Sequence, residues 1–358
     1  MKKHRAIPKY RQIADDLLEK IRATMEIGDK FPGEVELARD YGVHVLTMRE
    51  ALRVLQEGGV IQRRKASGTI VLNPLGGKWV AILSEVDLFS PKNNAIFHRR
   101  VIYQVRRNLI AQKIPARVSV GSNERDEAPT ISTCFDFLGD VEANRLIGLV
   151  ALGTVPDSGW LDKLVKAGIP VVGGSDFYPD YVLLDEASSC RNVAKILFNA
   201  GTRQLAWIGW AARTVREEKS FPERIGHIFE ESGITIKPEW VREDIHPAMP
   251  GAGGTHFDAI FSNGTCTADT LVVHDEHMIA DVLKACADRS LRIPKDFRLV
   301  VWETGGGLKV DYGVPAIRVE YDPTAFADAM SSILIAKLHS KTPPRSPVLI
   351  PSNILLPG

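Results

Sequence analysis

The sequence predicts an α/β protein in two parts: a small three-helix unit with a two-stranded hairpin over residues 1–74, and a larger α/β unit of two lobes over residues 78–358. Three observations carry this prediction. The first 72 residues read as helix, short helix, turn, helix and two β-type runs. Asn73-Pro74-Leu75-Gly76-Gly77 is a run of backbone breakers that reads as a boundary. Beyond it, short apolar strands alternate with helical patterns, the mark of parallel sheets covered on both faces.

In the small unit, Tyr10, Ile13, Leu17 and Ile21, with Leu18 alongside, form one face of a first helix that starts at Pro8 and ends near 25–28. Phe31-Pro32-Gly33 reads as a turn. A short helix follows over 34–41, with Leu37 and Ala38 inward and Gly42 in the left-handed closing position. The third helix, 45–57, puts Met48, Ala51, Leu52 and Leu55 on one face and Thr47, Arg49 and Arg53 on the other, and Gly58-Gly59 stops it. Two β runs, 60–63 and 69–72, flank the basic turn Arg64-Lys65-Ala66-Ser67-Gly68. This order is that of a winged helix-turn-helix. Its third helix suits the major groove of double-stranded DNA, through Thr47, Arg49 and Arg53. Arg64, Lys65, Ser67 and Gly68 at the wing tip suit the phosphate backbone or the minor groove. His44 either caps the third helix or touches a phosphate.

Charge distribution agrees. Residues 1–74 hold 14 Lys/Arg against 10 Asp/Glu, while the other 284 hold 31 against 34, so a basic small unit sits on a mildly acidic large one. Composition is that of a globular chain, 44% hydrophobic and 25% charged. The four cysteines, Cys134, Cys190, Cys266 and Cys286, form no CxxC pair and read as reduced thiols of a cytoplasmic protein. No apolar stretch follows the basic N-terminus and none approaches membrane-span length, so neither a signal peptide nor a membrane is expected.

The blocks "PKYRQIADDLLEKI", "FPGEVELARDYGV", "TMREALRVLQEGGVI" and "SGTIV" make residues 7–72 resemble the GntR family of bacterial regulators. The resemblance implies operator binding, with two departures. Gly33-Glu34-Val35 stands where the family has Ser-Glu-Arg, and His44-Val45-Leu46 where it has Ser-Arg-Thr. Two arginines the family directs at DNA are therefore Val35 and Val45. A bidentate arginine–guanine contact is worth about 1–3 kcal/mol and valine cannot make it, so the family's operator does not carry over.

In the large unit, strands are predicted at 79–83, 118–120, 146–152, 171–172, 181–184, 205–208, 270–273, 299–302 and 317–319. Helices are predicted at 99–112, 159–167, 187–200, 225–232, 278–288 and 324–338. Nine strands exceed one small sheet and predict two doubly wound lobes. The blocks "IGLVALGTVPDSGWLDKLVKAGIPVVGG", "VLLDEASSCRNVAKILFNAGTRQLAWIG", "TLVVHDEHMIADVLKACADRSLRIPKDFRLVVWE" and "PAIRVEYDP" are similar to the core of LacI/GalR-family regulators, with 86–97 and 210–255 matching poorly. That resemblance implies a periplasmic-binding-protein-like pair of lobes hinged by crossing segments, with a small-molecule effector, usually a sugar, in the cleft. A GntR-type head on a LacI-type core is an arabinose-repressor-like arrangement.

Ligands of open α/β sheets bind beyond the carboxyl ends of strands. The candidates there are Asp87, Phe89 and Ser90, then Ser175 and Asp176, then His274 and Asp275, then Glu303, with Arg224 placed by the resemblance alone. Each has a plainer reading. Asp275 and Asp185 suit helix caps, Trp302 suits the core, and Phe89 and Phe177 suit loop covers. His274 and His277 straddle a predicted strand end with no further ligand-rich sequence, so no metal is expected. Gly305-Gly306-Gly307 lacks the GK[ST] of a phosphate loop, and GxSxG, SxxK and HExxH are absent from the sequence. No cofactor and no enzymatic activity are expected. The sequence therefore reads as a ligand-gated, homodimeric transcription repressor. The alternative is a ligand sensor or interaction protein whose head has lost sequence-specific recognition.

Overall fold

The structure is a computed structural model, and it describes residues 8–64, 68–74, 76–84, 87–88, 95–121, 134–153, 159–210, 225–247, 249–306 and 311–357. The head comprises α1 (Lys9–Thr24), β1 (Lys30–Phe31), α2 (Glu34–Asp40), α3 (Val45–Glu57), β2 (Ile61–Arg64) and β3 (Gly68–Val71). The helices bury the faces their periodicity predicts: Ile13, Ala14, Leu17 and Ile21 on α1, Leu37 and Ala38 on α2, and Met48, Ala51, Leu52 and Leu55 on α3. The wing is a three-stranded antiparallel sheet in the order β1-β3-β2. Residues read as a turn from sequence thus contribute a third strand. Its two residues, Lys30 and Phe31, pair with Ile70 and Thr69 and are too few to show an alternation.

The large unit continues β4 (Trp79–Ser84), α4 (Ile96–Ala111), β5 (Ala116–Val120), α5 (Phe135–Glu142), β6 (Leu146–Leu152), α6 (Gly159–Lys166), β7 (Val171–Gly173), β8 (Asp180–Leu184) and α7 (Glu186–Asn199). Next come β9 (Gln204–Ile208), α8 (His227–Glu231), β10 (Thr235–Arg242), α9 (Ala252–Phe261), β11 (Thr270–Val273), α10 (Glu276–Asp288), β12 (Arg298–Thr304), β13 (Ala316–Tyr321), α11 (Pro323–Leu338), β14 (Val348–Ile350) and β15 (Ser352–Leu355). They build two six-stranded sheets, β14-β8-β7-β6-β4-β5 and β10-β9-β11-β12-β13-β15. Every pairing is parallel except that of β15 with β13. The nine predicted strands are all present. α5, α9, β10, β14 and β15 are additional to those predicted.

The chain crosses between lobes three times. It leaves the first sheet after β8 for α7, which packs in the second lobe's core through Cys190, Val193 and Leu197. It returns after β13 to α11, whose Phe326, Ala327, Met330, Ile333 and Leu334 complete the first lobe's core. It crosses again between β14 and β15. One hydroxyl ties the crossings together. Ser189 Oγ lies 2.7 Å from the Asp185 carbonyl, 2.9 Å from the Tyr321 hydroxyl and 2.7 Å from Ser352 Oγ. A serine hydroxyl has one proton and two lone pairs. Ser189 therefore donates to Asp185 and accepts from the other two, and its hydrogen-bonding capacity is full.

Candidate functional site

On the head, α3 turns Leu46, Arg49 and Arg53 outward, opposite its buried face. His44 occupies the N-cap, its Nδ1 accepting from the Leu46 backbone N–H at 3.2 Å, so of its two readings the structure shows the cap. The arginines are engaged. Arg49 grips Glu34 in two-pronged fashion, Nη2 to Oε1 at 2.7 Å and Nε to Oε2 at 3.2 Å, while Arg63 Nη2 reaches the same carboxylate at 2.7 Å. The Arg49 contact, joined by that of Arg63, pulls the Glu34 carboxyl down to about 2. Arg53 bonds Glu57 at 2.7 Å and Glu50 at 2.9 Å. Thr47 is partly buried, and Val45 packs against the head's core. Val35 and Leu46 remain exposed. Gly68 opens β3 at φ +86°, a left-handed conformation that glycine adopts without strain. Lys65 and Ser67 lie outside the described residues, as does the side chain of Arg64.

In the large unit the candidate residues follow the carboxyl ends of strands in the two sheets. Asp87 follows β4, and Ser175 and Asp176 follow β7. Ser175 Oγ and Asp176 Oδ1 are buried with no hydrogen-bond partner among the described residues. From the second lobe, His274 follows β11, stacked on Trp207 at a centroid distance of 4.7 Å and against Trp302 at 4.9 Å. Trp302 is 4% exposed, the core placement among its readings. Asp275 caps α10, accepting from the His277 N–H at 2.9 Å, and also holds His277 Nδ1 at 2.6 Å. Burial works against both charges of this pair. Their mutual attraction outweighs it, lowering the Asp275 pKa and raising that of His277. Glu276 accepts from the backbone N–H and hydroxyl of Thr304, each at 2.8 Å, which pins the start of α10 to the end of β12. Glu303, offered by the sequence as a ligand group, is taken up by Arg318 Nε at 2.5 Å and by the Tyr312 hydroxyl. Phe89, Ser90 and Arg224 lie outside the described residues.

The sequence reading missed His98. It is the third residue of α4, a helix predicted to start one residue later. Burial pushes its imidazole down to about 4, helped by His277, with Asp275 opposing and His246 adding to the fall. His98 belongs to the first lobe and the other three to the second, so the field at this ring is set across the cleft. Its Nδ1 is buried without a partner among the described residues. One helical step on, Arg100 donates to the carbonyls of Gly305 and, at 2.9 Å, Gly306, a second bond between the lobes. Among the described residues no group of three or more His, Cys, Asp or Glu side chains could hold a metal ion. None of the described helices is long and apolar enough to cross a membrane.

Comparison with known proteins agrees with both halves. Residues 9–71 match the bacterial regulatory proteins of the gntR family, and residues 194–356 match the periplasmic binding protein-like domain. The chain therefore carries a gntR-family helix-turn-helix head on a periplasmic-binding-protein-like core. The head is 43% identical over 65 residues to the mannosyl-D-glycerate transport/metabolism system repressor MngR of Escherichia coli, a match covering 18% of this chain and 27% of MngR. The chain spans 15 to 29% of the length of the curated relatives it matches. The fold resembles that of a LacI-type transcriptional regulator from Bacillus cereus subsp. cytotoxis, with TM-score 0.64 and 17% identity over 78% of this chain and 97% of the other. It also resembles the transcriptional regulator CelR–cellobiose complex, with TM-score 0.63 and 16% identity over 91% and 99%.

Proposed function

We propose that the protein is a ligand-responsive transcription repressor. Residues 1–74 bind double-stranded operator DNA, and residues 78–358 bind a small-molecule effector, a sugar, and form a homodimer. The observation that carries this reading is the cleft itself. His98 of one lobe feels the charges of Asp275 and His277 of the other, and Ser175 and Asp176 present buried oxygens without a hydrogen-bond partner among the described residues after β7 of the first sheet. An occupant that hydrogen-bonds both lobes sets the angle between them, and a dimer converts that angle into the spacing of its two heads. The named roles of MngR as a repressor and of CelR as a cellobiose-bound regulator support the same reading.

Gating requires reciprocity: if a sugar weakens operator binding by some factor, operator weakens sugar binding by the same factor. The test is calorimetric titration of cellobiose and a panel of monosaccharides into the protein, free and bound to its own promoter region. A binder with unequal affinities in the two states is expected, and equal affinities would defeat the gating. A second reading, a sensor whose head no longer selects DNA sequence, is favoured by the carboxylates holding Arg49, Arg53 and Arg63. A footprint on the promoter region separates the two.

A further inference from the structure

Val35 is 69% exposed and Leu46 58% exposed. Val35 is the second residue of α2 and Leu46 the second of α3, and the Glu34–Arg49 bond clamps the start of α2 to α3 three residues beyond Leu46. The two apolar side chains therefore flank one ion pair on the outward side of the helix-turn-helix. Among the described residues, the head's other exposed large apolar side chains, Ile27 and Leu72, lie elsewhere. Ile27 adjoins Glu26, which pairs with Lys113 of the large unit, and the Gly28–Val71 backbone bond brings Leu72 beside it.

The surroundings of Val35 and Leu46 restrict what they can meet. Arg49, Arg53 and Arg63 are balanced by Glu34, Glu50 and Glu57, so this surface is close to neutral. The usual guanine-reading group, an uncommitted guanidinium, is not among the described side chains here. At their second residues, where α2 and α3 begin, both helices present hydrocarbon. In the major groove one base edge offers hydrocarbon, the C5 methyl group of thymine. The N-terminal residues of a recognition helix are those that reach base edges.

We propose that Val35 and Leu46 read thymine methyl groups in the major groove, so that the operator is fixed at A·T pairs beneath them. This rests on the DNA-binding reading of the head given above. The full-length protein is used to select sites from random double-stranded DNA, and each thymine of the enriched site is then replaced by deoxyuridine, which lacks only the methyl group. At least one thymine per half-site is expected to be invariant, and its replacement to weaken binding roughly four-fold, the equivalent of about 0.8 kcal/mol for one buried methyl. Leu46→Ala or Val35→Ala should erase the thymine–deoxyuridine difference while leaving the salt dependence of binding unchanged, since neither touches a phosphate. An enriched site indifferent to deoxyuridine, or a difference that survives both substitutions, overturns the methyl reading and leaves DNA binding standing. If no site is enriched, both fall.

Discussion

His98 is neutral at pH 7, because burial above all, and then the neighbouring His277, disfavour its proton. The unfolded chain, with an ordinary imidazole near 6.5, holds more protons than the folded one between about pH 4 and 6.5, so stability falls as pH drops through that window. The contribution is up to about 3 kcal/mol. Urea melts at pH 7 and pH 4.5 should show His98→Asn losing less stability on acidification than the unsubstituted protein; equal losses would remove His98 from the account. Cap residues were legible in the sequence because their chemistry is local. His44, Asp185 and Asp275 each bond a backbone N–H two or three residues on. His98 was not, because its burial and the charges around it arise only when distant parts of the chain pack together. The Glu303–Arg318 pair was not legible either, because it joins neighbouring strands of one sheet 15 residues apart.

Central strands were legible because they are buried on both faces. Leu146–Leu152 and Thr270–Val273 are nearly or wholly buried and read as unbroken apolar runs. The missed strands lie at edges or beside breakers. β10 alternates with charge, contains Pro238, and breaks register between Ile236 and Val241, as an outer strand tolerates. β14 and β15 are short runs separated by Pro351. α9 was hidden by Gly253-Gly254, weak helix formers. The structure shows why Gly253 is there: a Cβ would lie 2.3 Å from the Met278 carbonyl of α10. Gly253→Ala is expected to push the two helices apart and cost about 1–3 kcal/mol, read from the urea midpoint. Since Met278 follows His277, effector affinity should fall with it; an unchanged midpoint would show that α10 yields freely.

At the scale of the whole molecule, the segments that cross between the lobes are tied to one another at Ser189. Ser189→Ala leaves the buried Tyr321 hydroxyl and the half-buried Ser352 hydroxyl without their common acceptor, with an expected cost of about 1–3 kcal/mol. Calorimetric melting checks this, and a change below about 0.3 kcal/mol would mean the hinge re-forms around water. Two lobes with crossing segments were legible from the alternation of strands and helices. The hydroxyl that binds the crossings was not, since it joins positions 132 and 163 residues away.

The triple crossing also fixes an order of events at the ribosome. Most domains are finished in the order in which they are made. Here the first lobe to emerge stays incomplete until nearly all of the second has been made, because α11, which supplies Met330, Ile333 and Leu334 to its core, and β14, its outer strand, are translated after every second-lobe strand except β15. A nascent chain halted at Tyr321 holds every strand of the second lobe but β15, while the first waits with an open apolar face. Premature termination just after β13 thus exposes the lobe encoded upstream of it.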